Sequence, residues 1–168
     1  MYDVNAAASF DLGWFLVIVS SRSEKKVAAL LERAEFEVFL PLERSERKWS
    51  DRVKLVDVPL FSCNLFCRCE PKQYLKLIHT PGVCGRPIPI PNEEIARLKK
   101  IISVPYRKQV RDIPTGSYTT VRLTIDPSIS AELITAGTES EIVVTLDAVG
   151  QAIGLTVPCD ELILLDQA

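Results

Sequence analysis

Cys63, Cys67 and Cys69 lie close together in the chain, and clustered thiolates are what a structural zinc site uses. Zinc prefers its ligands in two close pairs, whereas here the single histidine, His79, is remote. On a period-two strand all three cysteines fall on one side. They are therefore read as core residues, because free cysteine is among the most buried residue types. Cys84 and Cys159 bring the total to five, an odd number in a chain whose start shows no export signal, which favours reduced thiols.

Catalytic chemistry finds little to assemble. There is one histidine, no glycine-rich phosphate loop and no nucleophile elbow, so neither an enzyme nor a cofactor nor a metal is expected. His79, near a predicted helix end, is read as a surface or capping residue. The chemistry that remains is charge. Arg44, Arg47, Lys48, Arg52 and Lys54 surround Trp49, and neutralising phosphates with such side chains drives sequence-tolerant nucleic-acid binding. Glu43, Glu46 and Asp51 dilute that field. Trp49 can stack on a base or cover the hairpin that carries it, and the residues alone favour neither use.

These side chains belong to a chain of 168 residues, 47% hydrophobic and 25% charged, a composition that fits one or two globular domains and excludes disordered and collagen-like classes. Its 20 basic and 22 acidic residues divide unevenly: 19 and 14 in residues 1–115, but 1 and 8 in residues 116–168. The front part could approach an anionic partner, and the back part would repel nucleic acid. The longest apolar run, residues 14–19, is far shorter than the roughly 20 residues of a membrane helix. Residues 1–11 lack the basic and apolar regions of a secretory signal and read as a frayed tail, so a cytoplasmic protein without membrane contact is expected.

Residues 13–20 are β-branched and aromatic and predict a central strand. Ser21 or Ser23 can cap a helix in which Val27, Leu30, Leu31 and Ala34 share one face. Residues 36–40 predict a second strand. Residues 43–54 form an exposed hairpin tip, with Ser50-Asp51 as its turn. Residues 61–69 predict a further strand whose odd positions, from Phe61 to Cys69, oppose Ser62, Asn64, Phe66 and Arg68. A helix starts at Pro71, a proline-rich edge stretch follows with Pro87, Pro89 and Pro91, and Asn92 opens a third helix with Ile95, Leu98, Ile101 and Ile102. Residues 104–115 are basic and proline-containing and read as a linker. Five short strands follow at residues 118–125, 131–135, 141–146, 152–157 and 161–164, which predict a small closed barrel. The fold class is α+β: a tail at 1–12, an antiparallel sheet with packed helices at 13–103, the linker, and a five-stranded β-barrel at 116–168.

The chain resembles the NusG-type transcription elongation factors, in particular the RfaH-like and UpxY-like specialised antiterminators. The resemblance rests on Trp14-Phe15-Leu16-Val17, Glu24-Lys25-Lys26-Val27, Phe39-Leu40-Pro41, Trp49-Ser50-Asp51-Arg52, Pro59-Leu60-Phe61 before Leu65-Phe66, Thr80-Pro81-Gly82-Val83 and Ile88-Pro89-Ile90-Pro91, in this order. It implies an NGN domain of ferredoxin-like sandwich form and an SH3-like KOW barrel. It further implies a monomer that docks on the clamp helices of bacterial RNA polymerase through Phe15, Phe61, Asn64 and Phe66 and suppresses pausing and termination. The regulators it resembles stand at the head of surface-polysaccharide operons. Three departures stand out: Asn64 replaces the usual tyrosine, residues 83–87 are short, and residues 125–132 lack the glycines of a KOW motif. The cationic hairpin (Arg44, Arg47, Lys48, Trp49, Arg52, Lys54) and the basic linker would face the nontemplate DNA strand. The acidic barrel would recruit a ribosomal or termination-factor protein. The alternative is a ribosome-associated or RNA-binding KOW protein without antitermination activity.

Overall fold

A computed structural model describes residues 12–165. The expected tail at residues 1–11 lies outside them. The chain divides into two compact units, Met1–Asn92 and Glu93–Ala168.

In the first unit, β1 (Gly13–Val19), β2 (Glu37–Phe39), β5 (Asn64–Cys69) and β6 (Val83–Ile90) make an antiparallel sheet in the order β2-β5-β1-β6. The nearly continuous apolar run of β1 suits its place inside the sheet. Proline-rich β6 takes an edge, where missing N–H donors cost no ladder bond. Helices α1 (Glu24–Arg33) and α2 (Tyr74–Ile78) cover one sheet face. Val27, Ala28 and Leu31 of α1 and Tyr74 and Leu77 of α2 pack there with Phe15, Val17 and Val19 of β1 and Leu65, Cys67 and Cys69 of β5. Cutting Leu31, which is fully buried, to alanine costs about 2–5 kcal/mol by loss of transfer energy and the cavity left behind.

Two strands outside this sheet, β3 (Leu42–Lys48) and β4 (Val53–Pro59), pair as an antiparallel ribbon without a register shift. The expected hairpin is thus present and extends further at its base.

The chain between β4 and β5 departs from the expected strand over residues 61–69. Cys63 adopts φ +61°, a left-handed conformation that breaks period-two alternation. The Glu24 carboxylate fixes it by accepting the Cys63 N–H at 2.8 Å. Glu24 is buried and spans from the first turn of α1 to this turn. As a result Phe61 leaves the face of Leu65 and Cys67 and meets Phe66 edge-on, with ring centroids 5.9 Å apart.

In the second unit, α3 (Asn92–Ser103) precedes β7 (Arg107–Arg111), β8 (Thr119–Leu123), β9 (Ser130–Thr135), β10 (Glu139–Leu146), β11 (Gln151–Pro158) and β12 (Leu162–Leu164). The strands form one antiparallel sheet ordered β12-β8-β9-β10-β11-β7. The five expected strands are β8 to β12. The sixth, β7, occupies residues read as linker and pairs with β11, Arg111 opposite Ala152 and Arg107 opposite Thr156. Its sequence, Arg-Lys-Gln-Val-Arg, carries no apolar alternation, so the neighbouring strand and not its own pattern makes it a strand. Arg111 bridges to Glu141 of β10, and its side chain crosses β11 at Gly154, where an added Cβ would stand 3.1 Å from Arg111 Cδ.

Helix α3 is bonded to this sheet's loops and strands. Arg97 donates to the Thr145 carbonyl at 3.3 Å and Lys100 to Ser128 Oγ at 2.9 Å. Both carboxylate oxygens of Glu94 accept the Ala148 N–H at 3.2 Å. With α3 and β7 counted in the second unit, the two units hold 13 basic against 11 acidic and 7 against 11. The charge contrast therefore keeps its sign and loses much of its size.

Candidate nucleic-acid and partner interfaces

The register of the β3-β4 ribbon sorts the six hairpin candidates. Arg44 faces Asp57, Glu46 faces Leu55 and Lys48 faces Val53, while Ser45 faces Val56 and Arg47 faces Lys54. Side chains directly opposite in an antiparallel pair share a face, and faces alternate along each strand. Arg47 and Lys54 thus lie on one face with Trp49 and Arg52, whose backbones close the turn through the Trp49 N–H and the Arg52 carbonyl at 2.8 Å. Arg44 and Lys48 lie on the other face, where Arg44 pairs with Asp57 at 3.7 Å.

Trp49 is 56% exposed. The Arg52 guanidinium stands 5.7 Å and the Lys54 ammonium 5.9 Å from the centroid of its rings. Each such contact is worth about 0.5–1 kcal/mol at an exposed site. The reverse face exposes Val53 and Leu55, two apolar side chains that the charge count had hidden.

The four docking candidates do not form one patch. Phe15 pairs with Cys67 and Leu16 with Phe66 across β1 and β5, so Phe15 and Phe66 occupy opposite sheet faces. Phe15 is buried in the core under α1 and α2, near Tyr74 with ring centroids 6.3 Å apart. Phe15 thus lies on the helix-covered face, away from the face that carries Asn64 and Phe66. Phe66 is fully buried between Phe39, at 6.1 Å between ring centroids, and Phe61. Asn64 lies on the Phe66 face at half-burial, opposite Ile18. Ile18 and Ile88, both on this face by register, are its exposed apolar residues. Sequence reasoning missed them because an isoleucine in a strand reads as core.

Two of the linker cations, Lys108 and Arg111, are engaged within their own unit. Lys108 Nζ donates to the Val104 and Tyr106 carbonyls at 2.7 and 2.8 Å, and Arg111 is paired with Glu141. Cys67 and Cys69 are buried as expected, whereas Cys63 sits half-buried at the turn and Cys84 and Cys159 are exposed. Burial pushes the Cys67 thiol up to about 12 and the Cys69 thiol to about 11, so both stay protonated near neutrality. Among the described residues no helix is long and apolar enough to cross a membrane.

A sheet backed by two helices, a cationic two-stranded ribbon and a six-stranded β unit define a two-part α+β protein. Residues 12–99 match the family described as "Transcription termination factor nusG". The chain belongs to the NusG family. A solved structure described as "Domain interaction in Thermotoga maritima NusG" has the same fold, with a TM-score of 0.59 at 16% identity over 93% of this chain and 98% of that one. Two structures of the MjSpt4:Spt5 complex, conformations B and A, are similar at 18% and 16% identity over 92% of this chain and 97% and 99% of theirs. Their TM-scores of 0.32 and 0.29 carry no structural argument. No curated protein matches the chain.

Proposed function

We propose that this chain is a non-enzymatic, cytoplasmic and monomeric elongation factor of the specialised antiterminator kind. It docks on the clamp helices of bacterial RNA polymerase, suppresses pausing and termination, and serves a surface-polysaccharide operon. The observation that carries the reading is the exposed apolar pair Ile18 and Ile88 on the Phe66 face of a NusG-family sheet. Exposed apolar side chains beside a polar residue such as Asn64 suit a protein interface. Phe66, edge-on to Phe61, is buried on the same face. The Arg47, Trp49, Arg52 and Lys54 face of the hairpin meets the nontemplate DNA strand. The second unit, with its acidic excess, recruits a ribosomal or termination-factor protein.

The test is a transcription assay with purified bacterial polymerase on a template carrying pause sites and a terminator. Shorter pauses and more read-through are expected on adding the full chain. No change would remove the elongation role, and increased termination would replace antitermination by its opposite.

A further inference from the structure

We infer that Glu24 is a positioning residue for the polymerase-facing surface: it holds the Cys63 turn left-handed and so sets where Phe61 and Asn64 lie on the face of Ile18 and Ile88. The inference rests on the reading that this face docks on polymerase, and it adds a buried residue that acts on the face through the backbone.

A buried carboxylate is costly unless hydrogen bonds repay its lost hydration. Glu24 is only 7% exposed, although a place in the first turn of α1 would let it serve the helix dipole from solvent. The N-cap residue Ser23 makes no side-chain capping bond, and Glu24 does not take over that task. Its Oε1 accepts the N–H of Cys63, 39 residues further along the chain, at 2.8 Å. On its other side Cys63 is held by β1, its carbonyl accepting the Val19 N–H at 2.8 Å. The neighbouring Lys25 donates to the Asp57 carbonyl of β4. Two consecutive residues of α1 thus grip both ends of the segment that leads from the ribbon into β5.

A residue other than glycine at φ +61° is strained and persists only where its surroundings impose it. The position matters because Asn64, opposite Ile18, follows directly. Two residues earlier, Phe61 meets Phe66 edge-on. An extended Cys63 would restore the period of two and turn Phe61 toward the face of Leu65 and Cys67, which the core under α1 and α2 already fills. The Glu24 bond therefore selects the turn that keeps Phe61 with Phe66.

The test is equilibrium binding of the full chain to purified bacterial RNA polymerase, at a temperature where the melt of each variant shows it folded. Glu24→Ala should weaken binding roughly 5- to 150-fold, the factor by which strain at an unheld left-handed residue depopulates the turn. It should also speed hydrogen exchange at the Cys63 amide. Glu24→Gln, whose amide oxygen can still accept that N–H, should keep most of the affinity. Glycine needs no anchor at positive φ, so Cys63→Gly should bind like the parent and should restore binding when combined with Glu24→Ala. Cys63→Val places a β-branched residue in a conformation it resists and should weaken binding with Glu24 intact; this variant decides the matter if Glu24→Ala does not fold. Parent-like binding of Glu24→Ala or Cys63→Val, no rescue by Cys63→Gly, or unchanged protection of the Cys63 amide in Glu24→Ala would overturn the inference. If Ile88→Glu still weakens binding in that case, the docking face survives without Glu24 as its positioning residue. Undiminished binding of Ile88→Glu would remove the docking face and the inference with it.

Discussion

Phe15 and Phe66 are on opposite faces of one sheet, Phe15 beside Cys67 and Phe66 beside Leu16. The first is core beneath α1 and α2, and the second is buried on the face that also carries Ile18 and Ile88. Phe15→Ala should therefore cost about 3–5 kcal/mol in denaturant unfolding of the chain. Ile88→Glu, on edge strand β6, should stay within about 0.5 kcal/mol of the parent. Equal destabilisation by the two would contradict this division of the faces. Phe66→Glu would bury a charge at a fully buried position, so it tests folding and not docking.

The cysteines should divide by burial. Alkylation of the native protein near pH 8 should modify Cys84 and Cys159 readily and leave Cys67 and Cys69 untouched until denaturant is added. Their folded values, near 12 and 11, exceed the ordinary thiol value of 9.0. For groups raised in this way the stability contribution is full below pH 9 and is lost as pH climbs toward the folded values. Rapid native labelling of Cys67, read by peptide mass mapping, would contradict the packing.

Glu94 predicts a pH effect of definite sign. Burial holds its carboxyl above the ordinary value of 4.5, opposed by the Ala148 N–H that stabilises the charge, with Asp147 raising it and Arg97 lowering it further. A raised acid stabilises the fold more as pH falls through its folded value toward 4.5. The stability of the parent relative to Glu94→Gln should therefore increase between neutral and mildly acidic pH, measured by urea unfolding at each pH. A difference that shrinks over this range would contradict the sign.

Gly82 is required where α1 meets the turn into β6. Its φ is +92°, and a Cβ there would lie 2.6 Å from Val27 Cγ2. Gly82→Ala should cost about 1–3 kcal/mol from the clash, together with strain at a left-handed position. Val27→Ala in the same chain should not restore the parent, because it leaves the backbone strain in place. Thermal unfolding of the single and double variants measures both parts.

What the residues disclosed by themselves follows the range of the forces involved. The Val27 and Leu31 stripe, the Leu65, Cys67 and Cys69 face and strands β8 to β12 all come from local periodicity, and the structure contains them. Phe61 changed faces because one left-handed residue, Cys63, interrupts the period, and that conformation is anchored by Glu24 from a distant helix. Strand β7 escaped notice because an edge strand of cations owes its existence to β11. In the hairpin the residue types announced charge and an aromatic ring, but only the pairing register separates Arg47 and Lys54 from Arg44 and Lys48. The same register exposes Ile18 and Ile88 as the surface apolar residues of a face whose aromatic rings are buried.

The central claim, that this NusG-family chain docks on RNA polymerase through the Ile18, Asn64 and Ile88 surface, is tested most directly by equilibrium binding of the full chain to purified bacterial polymerase. Saturable binding is expected for the parent chain, lost on removing the polymerase clamp helices and weakened at least tenfold by Ile88→Glu with an unchanged melt. Undiminished binding of Ile88→Glu, or binding that survives loss of the clamp helices, would contradict the account.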